Sequence, residues 1–190
     1  MGRKSTLDEA AVFRYVGATL AKAGAVTLQG VVEGTGFSMG SLYHRYRSRE
    51  GLLAHAWLDA LEAFQNQFAD LIEHGGVEAG ARAAMLTPAF CRHHPARGVV
   101  LACCRASEFV GEKTPPALRE RIDLANRRGA GALKRFSQRT QVDLMTCQLA
   151  VVGMPLGAVR LFLPAQPVPL SIDERVQTAY WALMKSPQVA

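Results

Sequence analysis

The stretch TLQGVVEGTGFSMGSLYHRYRSREGLL, residues 27–53, decides the fold. Thr27 can cap a short helix carrying Leu28, Val31 and Val32 on one face, and Gly36 with Phe37 breaks that helix where a positive φ comes most easily. Ser38 then caps a second short helix, in which Leu42 and Tyr46, four apart, face inward with Phe37. Met39, Gly40, Ser41, Tyr43, His44, Arg45 and Arg47 are left to look outward. Hydroxyls, an imidazole, an aromatic ring and arginines on one exposed face suit base edges and phosphates. The pattern reads as a helix-turn-helix whose second helix enters the major groove of double-stranded DNA. Gly30 and Gly34 inside the first helix cost it about 1 kcal/mol each relative to Ala, so tertiary packing must hold it.

Outward from this window the apolar periodicity is helical throughout, with no sustained two-residue alternation, so the chain is expected to be all-α. Upstream, Ser5 and Thr6 with Asp8 and Glu9 offer alternative capping boxes for a helix carrying Val12, Phe13, Val16 and Leu20 and ending near Gly24. Downstream, a long helix from about Ser48 to His74 ends at Gly75-Gly76. Further helices are expected near residues 78–93, 98–110, 115–138, 142–163 and 171–186, marked off by Pro95, by Thr114-Pro115 and by the break from Pro164 to Pro169. The last of these has a capping box, Ser171 with Glu174.

The window also resembles the N-terminal signature of the tetracycline-repressor (TetR) family of bacterial transcription regulators. Val31-Val32 stands for that pattern's Ile-Ala, Thr35-Gly36-Phe37-Ser38 for its Ala-Gly-Val-Ser, Leu42-Tyr43 for its Leu-Tyr, Tyr46 for its Phe, and Ser48-Arg49-Glu50 for its Ser-Lys-Glu. The resemblance implies a three-helix DNA-binding domain at residues 1–50 and a helical ligand-binding and dimerisation domain at 51–190. It implies that Ser38, Met39, Gly40 and Ser41 approach base edges, that Thr27, Tyr43 and His44 contact phosphates, and that Arg49 lies near the DNA backbone. Gly2-Arg3-Lys4 would add arm contacts. Such a recognition surface has few long donors, so readout of guanine must come from Arg45 or Arg47 or be absent. The two C-terminal helices would pair with their copies as a four-helix interface in a homodimer. Arg97 to Phe109 is similar to the family's sixth helix. For a small apolar or aromatic effector the candidate lining is Phe64, Phe68, Met85, Phe90, Cys104, Phe109 and Met145, extending to Met154, with Thr87, Thr146 or Gln148 as polar handles.

Composition sets the remaining bounds. Of the net charge of +6, half falls in residues 1–52, which hold seven Lys/Arg against four Asp/Glu, an asymmetry that suits a DNA-facing end. The N-terminus has no apolar leader region, which makes the cytoplasm the expected compartment, and four cysteines there do not make a disulfide framework. Cys91, His93, His94, Cys103 and Cys104 raise a metal or redox sensor as an alternative, but their spacing matches no closed zinc pattern. Leu144 to Leu163 approaches the length of a membrane span, yet Gln148, Pro155 and Arg160 speak against a membrane partner, and a helix apolar all round also fits between a core and a second subunit. No convergent acid, base or nucleophile and no phosphate loop points to an enzyme, and no cofactor is expected. The sequence thus favours a ligand-responsive repressor, with a DNA-binding regulator lacking small-molecule control as the other alternative.

Overall fold

The computed structural model describes residues 8–185. Among them there is no strand. The helices are α1 (Glu9–Ala23), α2 (Leu28–Thr35), α3 (Met39–Tyr46), α4 (Arg49–Ile72), α5 (Val77–His93), α6 (Pro95–Cys103), α7 (Ala106–Phe109), α8 (Pro116–Thr140), α9 (Leu144–Gln148), α10 (Met154–Arg160) and α11 (Ile172–Lys185).

Local chemistry accounts for their limits. Asp8 caps α1 by accepting from the Ala11 N–H, while Ser5 and Thr6, the other starts expected, lie outside the described residues, as does the Gly2-Arg3-Lys4 arm. Thr27, Ser38 and Ser48 cap α2, α3 and α4 through their hydroxyls, and Gly36 closes α2 at φ +74°. The helix expected over 98–110 is two. Cys104 is extended, and the Arg105 N–H donates to the Glu108 carboxylate at 2.9 Å to restart the chain as α7. Pro95, expected as a break, is instead the first residue of α6, where a missing N–H is harmless. The helix expected over 142–163 is likewise interrupted: α9 runs into a π-helical turn, Leu149–Gly153, before α10. Pro155 gives no N–H to the Val151 carbonyl and its ring crowds that carbonyl, and the widened turn just upstream absorbs both effects.

Two apolar clusters hold the helices together, and α4 runs through both. The first joins Val12 and Val16 of α1, Val31 of α2, and Leu42 and Tyr46 of α3 to Leu52 and Trp57 of α4, and continues into Val100, Phe109 and Leu118. The second packs Phe68 and Ile72 of α4 against Phe136, Val151, Val159, Val176 and Tyr180. On the solvent side α8 is fastened to α4 by arginines seven residues apart: Arg121 to Glu62 (3.0 Å), Arg128 to Asp70 (3.0 Å) and Arg135 to Glu73 (2.7 Å). No helix among the described residues is long and apolar enough to cross a membrane.

Candidate nucleic-acid interface

The reason α2 tolerates two interior glycines lies in α1. A Cβ on Gly34 would collide with the Tyr15 ring, and one on Gly30 would come to 3.2 Å from the Tyr15 hydroxyl oxygen. Tyr15 therefore lies directly on the backbone of α2, and the ring contact replaces the helix propensity the glycines give up. With α2 braced, Leu42 and Tyr46 sink into the core and turn the opposite face of α3 outward. Ser38, Gly40, Ser41, Tyr43, His44, Arg45 and Arg47 are exposed, Met39 is half-buried, and Thr27 is exposed at the head of α2. Tyr43 keeps 51% of its surface exposed, which excludes a core role for its ring. Ser38 is also occupied locally, since its Oγ accepts from the Ser41 N–H at 3.1 Å and lies 2.9 Å from the Ser41 hydroxyl.

Two arginines have structural partners that the sequence did not reveal. Arg45 grips Glu9 of α1 through two hydrogen bonds of 2.9 Å, and the Tyr46 hydroxyl donates to the same carboxylate at 3.3 Å. The Arg45 bond holds the Glu9 carboxyl below its ordinary pKa, whereas burial lowers that of His55, whose ring meets Tyr46 edge-on at 5.4 Å. At neutral pH this cluster thus carries one matched ion pair beside neutral rings. Arg45 is spent on positioning α3, which leaves Arg47, just past the helix end at φ +66°, as the long donor with no such tie among the described residues. Arg49 is likewise engaged: its Nε donates to the Val26 carbonyl at 2.6 Å and pins the α1–α2 connection to the head of α4, so only its remaining N–H groups are left for phosphate.

Three short helices packed on the first turns of a long fourth, followed by a helical body, match known structures along nearly their whole length. The crystal structure of a TetR-family transcriptional regulator, PfmR from Thermus thermophilus, superimposes with a TM-score of 0.73 over 97% of this chain and 100% of that one, at 17% identity. The chain has a TetR-like fold. A TetR-family regulator from Rhodococcus sp. gives 0.65 at 18% identity over 93% of this chain and 98% of its own. The regulator FadR from Bacillus subtilis, solved in complex with stearoyl-CoA, gives 0.63 at 12% identity over 94% and 99%. No protein-family model matches the chain, and no curated protein matches it.

In this TetR-like body the seven expected ligand residues do not share a cavity. Phe64, Phe68 and Phe90 close on one another, with Phe64 stacked on Phe68 at 5.8 Å and edge-on to Phe90 at 5.3 Å, and Met85 packs against the same cluster. Cys104 and Phe109 belong to the other cluster, where Phe109 meets Trp57 at 5.3 Å. Met145 is 64% exposed and Met154 is exposed too, so both correct the expectation by standing on an outer face. Of the polar handles, Thr87 is buried, Thr146 donates its N–H to the Asp143 cap and Gln148 is exposed. A hollow of about 520 Å³ is lined by Met85 with Leu71, Ala81 and Trp181, and a crevice of about 830 Å³ is bounded by α1, the α5–α6 corner and residues 163–168.

All four cysteines are free thiols. Among the described residues no group of three or more His, Cys, Asp or Glu could hold a metal. Burial pushes the Cys91 thiol up to about 12 and Cys104 up to about 11, which keeps both protonated and poorly nucleophilic at neutral pH.

Proposed function

We propose that the chain is a sequence-specific DNA-binding transcriptional regulator of the cytoplasm, a repressor that a small apolar or aromatic molecule releases from a palindromic operator. Residues 1–50 serve as the DNA-binding domain and 51–190 as the ligand-binding and dimerisation domain. The observation that carries this reading is the outward face of α3: its inward residues are the core of the head, and Tyr43, His44 and Arg47 stand exposed where they can bond DNA. Ser41 and Met39 would meet base edges with Gly40 allowing close approach, while Tyr43, His44 and Thr27 bond phosphates. Ser38 contributes mainly by capping α3. The similarly folded FadR, solved in complex with stearoyl-CoA, supports control by a molecule with an apolar part.

A homodimer supplies the two heads that a palindrome needs. Leu144, Met145, Leu149, Met154 and Leu161 are 45–74% exposed along α9, the π turn and α10, an apolar face that a second copy would cover. Selection from a random duplex pool tests the reading. The expected winner is an inverted repeat with half-sites about one helical turn apart, bound by the dimer. Enrichment of no sequence, with equal affinity for all duplexes, would overturn it.

A further inference from the structure

We propose that the crevice between α1, the α5–α6 corner and residues 163–168 is the effector site, and that it takes a small amphiphilic anion, an apolar chain or ring bearing one carboxylate. This rests on the ligand-responsive reading above and gives it a place and a ligand chemistry. The volume, about 830 Å³, is on the scale of pockets that hold small organic molecules. Room is available because α1 presents Ala10, Ala18 and Ala21 to it, while Phe13, Leu163 and Pro164 supply apolar walls.

Charge complementarity selects the headgroup. Among the described residues of the lining Asp59 is the one carboxylate, and it is consumed by Arg97 through bonds of 2.7 and 2.9 Å. Arg92 is matched by Asp173 at 2.8 and 2.6 Å. What remains cationic is Arg14, whose ion pair with Asp8 is a solvent-exposed contact of 3.6 Å, with the His93 and His94 imidazoles in the same lining as hydrogen-bonding groups. No side chain caps α6, and although Pro95 has no N–H, those of Ala96 and Arg97 in its first turn lie at the same corner. Burial, and after it the Arg97 charge, depress the pKa of His94, so at neutral pH it serves as a neutral hydrogen-bonding partner beside the Arg14 cation. An uncharged apolar ligand would desolvate these donors without pairing them, whereas a carboxylate pairs them.

The position explains how binding would reach the DNA. One wall is α1, part of the DNA-binding head, and the others belong to the body. At the seam between them a Cβ on Gly17 would collide with the Ala96 backbone, so α1 and α6 touch backbone to backbone. A molecule spanning the crevice contacts both sides, and its affinity therefore differs between head orientations. That difference is what coupling requires.

The test is calorimetric titration of the full chain with decanoate and, separately, with decan-1-ol. Decanoate is expected to bind at least tenfold more tightly than the alcohol. Arg14→Gln should remove most of that preference, and Ala18→Trp, which fills the crevice from an exposed α1 position, should remove binding of both. Equal affinity for the two probes, no binding of decanoate at millimolar concentration, or wild-type affinity in both variants would overturn the proposal. Arg14→Gln alone suffices if Ala18→Trp fails to fold. A parallel mobility shift on the selected duplex separates this proposal from the wider reading: decanoate that binds through Arg14 without changing DNA affinity leaves the site standing and removes its regulatory role, whereas absent sequence preference removes the regulator and not the site.

Discussion

Tyr43 and Gly34 show what one side chain, or the lack of one, decides. The Tyr43 ring is half exposed on the α3 face, so its hydroxyl can reach a phosphate. Tyr43→Phe is expected to weaken operator binding by about 1 kcal/mol, roughly fivefold, with an unchanged thermal midpoint. Unchanged affinity in a mobility-shift titration would mean that α3 meets DNA with another face. At Gly34 two effects compete. Alanine would raise helix propensity by about 1 kcal/mol, but its methyl collides with the Tyr15 ring, and overpacking of this kind costs about 1–3 kcal/mol. Collision should win, making Gly34→Ala destabilising in urea melts. In a Tyr15→Ala background the same change should become neutral or stabilising, and a persistent loss there would show that Tyr15 is not the reason for the glycine.

Between helices, the Glu9–Arg45 pair fixes the angle of α3 against α1. The folded-state pKa of Glu9 lies below its unfolded value, so its contribution is present at neutral pH and is lost as pH falls through the folded value, beneath the ordinary carboxylate range near about 4.3. Both partners are substantially exposed, and such pairs contribute about 0.2–1 kcal/mol. Glu9→Gln should therefore lower stability by about 0.5 kcal/mol at pH 7, and the gap to the wild type should narrow as pH falls below the ordinary carboxylate range, as a pH series of chemical melts would show. A gap that stays constant with pH would assign the loss to packing instead. This pair also marks where sequence reading stops. Thr27, Gly36 and Ser38 were legible because a cap or a left-handed turn is set within a few residues. Arg45 looked free for guanine because its partner sits 36 positions away. The same blindness merged Phe109 with Phe64 in one expected pocket, since periodicity names the buried face of a helix and not the neighbour that buries it. The Arg121, Arg128 and Arg135 ladder leaves no local signal for the same reason, its partners lying 58–62 positions away.

For the molecule as a whole, apolar residues facing a partner and apolar residues facing a core look alike in sequence, which is why Met145 was placed in a pocket. The structure separates them by exposure. Leu144, Met145, Leu149 and Met154 are uncovered on the same segment whose Ala150, Val151 and Val159 are fully buried. Gly153 and Gly157 lie on the uncovered side, and a Cβ on Gly157 would meet nothing within 4 Å, so this fold does not itself need a glycine there. Close approach of a second helix does need one. We expect light scattering at micromolar concentration to give twice the 20.6 kDa chain mass for the wild type. Gly157→Trp should return the mass toward that of one chain while helical content by circular dichroism is retained, because the added ring projects into space that only a second copy would fill. DNA binding should then weaken steeply, since a lone head holds one half-site and loses the advantage of two joined heads. A wild-type protein that scatters as a monomer, or a Gly157→Trp variant that remains fully dimeric, would show that this apolar face is not where two copies meet.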